Sequence, residues 1–187
     1  MIDKMVEETK LPIIISLNDY GGDYQAYVDV LYSIFENDFL KHHATFGSHT
    51  LRHKYNPAFQ NRSYTFYHMT HKGEKEDERT PDLRRCERLP WARPTIENVE
   101  MWNLKCWAQE RNGKQRICIW LEVDTGDNYY VVLDVRKDYV LLWTAFYAEY
   151  SHQVHKKRKE YDEWLAGNGG KEMSPDELVA AIQDKIS

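Results

Sequence analysis

Two histidines and five arginines fall within one stretch of the chain, residues 64–94, YTFYHMTHKGEKEDERTPDLRRCERLPWARP. His68 and His71 close an aromatic run, and Arg79, Arg84, Arg85, Arg88 and Arg93 follow around Trp91. Imidazole beside guanidinium is the pairing needed to move protons next to a phosphate. RNA is cut without a metal when a base takes the 2′-hydroxyl proton and that oxygen attacks the adjacent phosphorus. An acid then protonates the leaving 5′-oxygen, and cations neutralise the charge that builds on the phosphorane. Histidine supplies acid and base near neutral pH, and arginine offers a planar fork to phosphoryl oxygens. Arg84, Arg85 and Arg88 read equally well as a solvated helix face paired with Asp82 and Glu87. A second basic run, Lys156, Lys157, Arg158 and Lys159, follows the last apolar segment and can track a phosphate backbone or serve as a soluble helix face.

Other chemistries lack their signatures. Eight histidines invite a metal reading, but no HExxH or Cys/His zinc spacing occurs, and adjacent His42 and His43 diverge on any regular element. No metal is expected. There is no GxGxxG, no GxxxxGK[ST] and no GxSxG, so no nucleotide cofactor or serine nucleophile is expected either. Cys86, Cys106 and Cys118 are an odd number without CxxC spacing, which suits reduced thiols in the cytoplasm. Net charge is −5, so any nucleic-acid site must be a local patch rather than the whole surface. Residues 1–10 are polar and the apolar run 11–17 is short, which predicts neither a signal peptide nor a membrane partner.

The elements that must position these groups read as a segregated α+β chain. Residues 11–17 suggest an edge strand or apolar anchor. Asp23 can cap a helix to about residue 40, with Tyr24, Tyr27, Val28, Leu31, Ile34, Phe35 and Phe39 on one face. Residues 46–55 suggest a strand, and residues 64–71, aromatic and β-branched, another. Residues 72–79 form a solvated loop, 82–89 one or two helical turns, and 95–99 a short helix. Four alternating runs follow, 101–108, 116–123, 129–135 and 139–148, with Asn112-Gly113 a strong hairpin turn. Residues 152–165 predict a helix. After a GNGG break, Ser174, Pro175 and Glu177 open a last helix to residue 186. This predicts one domain over residues 1–165 and a C-terminal break and short helix over 166–187.

The strand YTFYHMTH, the segment RTPDLRRCERLPW and the run LLWTAFYAEY before a Lys-rich helix resemble a phage- and prophage-associated family. That family is grouped with the barnase–EndoU–colicin–RelE-like ribonucleases. The match covers residues 46–161. It implies a RelE/barnase-like fold with helices on one face of a curved antiparallel sheet. It also implies metal-independent RNA cleavage, as a toxin or in phage–host conflict, with RNA as substrate and a neutralising protein as a possible partner. Carried over, His68 is the general acid or base, with His71 as a second candidate. Arg85 or Arg88 stabilises the phosphate, Thr144 matches a hydroxyl position in the last strand, and Arg79, Arg84, Trp91, Lys156, Lys157 and Arg158 hold RNA. The alternative is a non-catalytic RNA- or protein-binding module of a mobile element.

Overall fold

The computed structural model describes residues 5–187. Asp23 caps helix α1 (Tyr24–Phe35), its carboxylate accepting from the Ala26 amide at 3.1 Å. Tyr27, Val28, Leu31 and Phe35 recur at helical spacing and are buried, as the pattern predicts. Fully burying each such side chain is worth about 1.5–3 kcal/mol. A π-helical turn, Glu36–Lys41, prolongs this helix to the expected end.

Three strand expectations fail. Residues 12–16 form no strand. They run across the surface with Ile13 88% exposed, tied down where the Trp91 indole donates to the Pro12 carbonyl at 2.8 Å. The strand expected over 46–55 shrinks to a hairpin of β1 (Thr45–Phe46) and β2 (His49–Thr50). The aromatic run is helix α2 (Tyr64–Thr70), not a strand, and all seven of its residues are buried. Composition favours a strand there, but a short helix enclosed on every side shows neither an apolar stripe nor an alternation. Packing decided its backbone. Phe66 and Met69 enter the main core, while the rings of Tyr64 and His68 lie against Trp143.

Past α2 the chain makes a small ladder, β3 (His71–Lys72) with β4 (Thr80–Pro81), across the charged loop. Asp82 caps α3 (Leu83–Glu87) by accepting from the Arg84 and Arg85 amides. A 3₁₀ turn over Leu89–Trp91 leads into α4 (Ala92–Glu97).

The four-strand meander forms, its first strand starting and ending later than expected: β5 (Lys105–Arg111), β6 (Lys114–Glu122), β7 (Asn128–Val135) and β8 (Val140–Tyr147) pair in that order, all antiparallel. Asn112 and Gly113 take φ of 52° and 72°, the left-handed pair that a tight hairpin requires. The last two helices are α5 (Ser151–Gly167) and α6 (Pro175–Ile186), the latter opened by the Ser174–Glu177 capping box.

Alternate strand residues serve two separate cores. Ile117, Ile119, Leu121, Val131 and Leu133 face α1, α2, α4 and α6. Trp107, Cys118, Trp120, Tyr130 and Val132 face the other way, against Tyr161, Val154 and Leu165 of α5. The α+β class and the antiparallel meander therefore hold, but α5 lies on the face opposite the other helices. The final helix is no loose appendage: Leu178, Val179 and Ile182 are buried in the main core. No helix among the described residues is long and apolar enough to cross a membrane.

Candidate functional site

The end of α2 collects five of the residues singled out in the sequence. It has carbonyls with no helical partner, and cations are favoured beside them. Arg85 Nη1 donates to the carbonyls of His68 and His71, at 3.1 Å each. Arg79 Nη2 donates to the His71 carbonyl at 2.7 Å, and its Nη1 to Gly73 at 2.9 Å. Thr144 of β8 donates its hydroxyl proton to the His68 carbonyl at 3.0 Å. Thus His68, His71, Arg79, Arg85 and Thr144 do meet. Their meeting point is the peptide backbone of a helix end.

The imidazoles are enclosed. His68 is 5% exposed, its ring lying 4.4 Å from Tyr64 and 5.3 Å from Trp143. Its Nε2 is 3.0 Å from both carboxylate oxygens of Glu76. Burial, and next the Arg79 guanidinium, hold His68 below the usual imidazole range. Glu76 pulls the other way and is outweighed, since its carboxylate is half in solvent. Burial works to raise Glu76, but hydrogen bonds from Tyr64 and His68 hold it below the ordinary carboxylate value. The His71 ring lies tilted against Tyr67, centroids 4.4 Å apart, with Nδ1 2.9 Å from the Thr70 hydroxyl; burial, then Arg79, push it down to about 4.

Arg88 also turns inward. Its guanidinium lies 3.9 Å from the centre of the Tyr147 ring and 5.3 Å from Trp91, bound to Glu87 at 3.0 Å and Asp127 at 3.4 Å. Trp91 is 2% exposed and presents no stacking face to a ligand. Arg84 is exposed, on Glu87 at 3.2 Å. Cys86 is sealed beside this network, and burial pushes its thiol up to about 12, so it is no nucleophile at neutral pH.

The second face of the sheet brings distant groups together. Trp120, Tyr130 and Phe146 stack across β6, β7 and β8, with centroid spacings of 5.6 and 5.1 Å. Phe146 is only half-buried, and two cations stand over its ring: Arg85 of α3 at 5.8 Å and Lys157 of α5 at 6.0 Å. Arg158 lies 4.7 Å over Trp120 and Arg116 lies 4.2 Å over Trp143. Thr144 and Trp143, half-buried, continue this strip along β8. Several of the cations have acidic neighbours: Lys157 meets Glu160 at 2.8 Å, Arg158 meets Glu122 at 3.5 Å, and Arg116 meets Asp134 at 3.3 Å. Lys156 is exposed on α5.

Sequence reasoning passed over a different cluster. His43, His49, Arg52 and His53 line one open cleft with Asp138 and Tyr139. Three histidines and an arginine within eleven positions, 43–53, were the available signal. Among the described residues no group of three or more His, Cys, Asp or Glu is arranged to hold a metal ion.

Compared with family models, with curated proteins and with solved structures, the chain finds no match.

Proposed function

We propose that this protein is a non-catalytic binding module for single-stranded RNA, and that RNA lies along the β8 strip. The observation that carries this reading is the convergence of Arg85 and Lys157, from two basic segments far apart in sequence, over the partly buried ring of Phe146. Aromatic faces flanked by cations suit single-stranded nucleic acid; in this strip Phe146 and Trp143 offer part of a face, backed by the buried Trp120 and Tyr130. Every base has a π-face to stack, and of the two cations Lys157 stands beside it to meet the backbone, while Arg85, bound to the carbonyls at the end of α2, holds that edge of the ring's surroundings in place. Stacked bases are worth about 1–3 kcal/mol each in such sites.

Binding without cleavage follows from the state of the histidines. An acid or base must reach the proton it moves and titrate near working pH. His68 has its Nε2 committed to Glu76 and is enclosed, and His71 is neutral down to about pH 4. Arg79 and Arg85 neutralise helix-end carbonyls, and Arg88 is buried between Trp91 and Tyr147. None of these groups is free to follow the charge on a phosphorane.

The test is fluorescence anisotropy with a labelled single-stranded RNA over a salt series in EDTA, with the same samples run on denaturing gels. Retention should weaken steeply with salt, and no shorter products should appear. Each phosphate contact on a single strand contributes about 0.7 to the slope of log affinity against log salt, so K156Q/K157Q should flatten it by about 1.4. No retention at low salt would sink the binding reading. Products that vanish in His68→Ala would restore the endonuclease.

A further inference from the structure

An open cleft of about 670 Å³ lies between the β1–β2 hairpin and the turn into β8. We propose that it is a binding site for a small phosphate monoester, of nucleoside monophosphate size. The proposal does not rest on the RNA reading, and the two sites share no residue.

The lining is rich in donors. His43, His49, His53, Arg52, Ser48 and Thr50 all face it, and Asp138 is the single carboxylate among the lining residues. Arg52 has no ion pair among the described residues, yet it is held in place. Its guanidinium lies 4.6 Å over the ring of Tyr139, its amide donates to the Val140 carbonyl at 2.9 Å, and its carbonyl accepts from Leu142 at 2.8 Å. The backbone bonds fix where Arg52 starts, its exposed guanidinium rests on the Tyr139 ring with no carboxylate to be displaced when an anion arrives, and its planar fork matches phosphoryl oxygens.

The imidazoles add ring nitrogens to the lining. His53 packs edge-on against Phe35; burial, then the neighbouring His43, hold it below the usual range. His49 Nε2 lies 3.6 Å from Asp176 at the start of α6, and that carboxylate also accepts from the Ser48 amide and hydroxyl. An anion beside His53 offsets both its burial and the repulsion from His43, so binding favours the charged form of His53 and strengthens as pH falls toward 6. Asp138 lines the cleft, and Asp176, beside His49, is already engaged with Ser48 and His49. The donors do not converge as a metal set, which leaves a ligand spread over several N–H groups. The volume is of the order that small-molecule sites require, roughly 300–1,000 Å³.

The experiment is a titration of the full chain at about pH 6, where histidine rings respond to a nearby charge. Histidine ring signals are followed by NMR as inorganic phosphate, adenosine monophosphate, adenosine or sodium chloride is added. Phosphate and the monophosphate should shift three histidine signals, and adenosine and chloride should not. Arg52→Ala should weaken the response roughly tenfold, the worth of one charge-assisted contact, at an unchanged melting temperature. Shifts that chloride reproduces, shifts that survive Arg52→Ala in full, or no shift with any phosphate would overturn the proposal. RNA retention measured on Arg52→Ala should stay at the wild-type level, so failure here and failure of the RNA reading are told apart.

Discussion

Replacing Arg85 by Met removes the guanidinium while keeping much of the apolar stem. Arg85 gives two hydrogen bonds to carbonyls at the end of α2 and an ion pair to Asp82 at 3.4 Å. Hydrogen bonds from a charged donor are worth about 1.5–3 kcal/mol each. The two carbonyls keep second donors, since His68 retains the Thr144 hydroxyl and His71 retains Arg79. The loss should therefore sit at or below the low end of the pair's range, about 2–3 kcal/mol. For a chain of this length, 1 kcal/mol moves the melting temperature by about 2–4 °C, so Arg85→Met should melt roughly 4–12 °C lower. Thermal unfolding followed by circular dichroism reads this directly. Arg84→Met is the control: Arg84 is exposed, its side chain forms a surface ion pair with Glu87, and its loss should leave the transition nearly unmoved. If Arg85→Met melts with the wild type, the capping argument is wrong and the guanidinium is free for a ligand.

Two further outcomes follow from the same network. His71 has a folded pKa of about 4 against an ordinary value of 6.5, so the unfolded chain binds the extra proton between those values. That contribution is present above about pH 6.5 and lost as pH falls to about 4, an upper bound of about 3 kcal/mol; urea midpoints over this window should drop less in His71→Gln than in wild type. Arg88→Ala leaves Glu87 and Asp127 without their shared cation under Tyr147, and removing one partner of a buried pair costs about 3–5 kcal/mol, which urea unfolding measures. A variant as stable as the parent would mean that this pair is idle.

How much was legible depended on how local the cause is. The Asn112-Gly113 turn, the Asp23 cap, the amphipathic face of α1 and the Ser174–Glu177 box are set by neighbours a few residues apart, and each is found where the pattern puts it. Helix α2 had no such signal, because a segment buried on every side carries no period. The arginines of α3 were legible as charge and illegible as direction. Residue type states that a guanidinium needs acceptors; it does not say that the nearest ones are carbonyls at the end of a helix more than a dozen residues upstream. The same holds for the β8 strip and the histidine-lined cleft. Lys157 reaches Phe146 only because α5 crosses to the second face of the sheet. His49 and Arg52 share a cleft with Asp138 only because residue 52 pairs with β8. The sequence by itself determined which short segments coil, turn or extend wherever hydrogen bonding and side-chain period are local. Which charged groups face a ligand, and which are consumed inside the protein, was decided by tertiary packing, because burial and the partner that comes with it are properties of chain segments far apart in sequence.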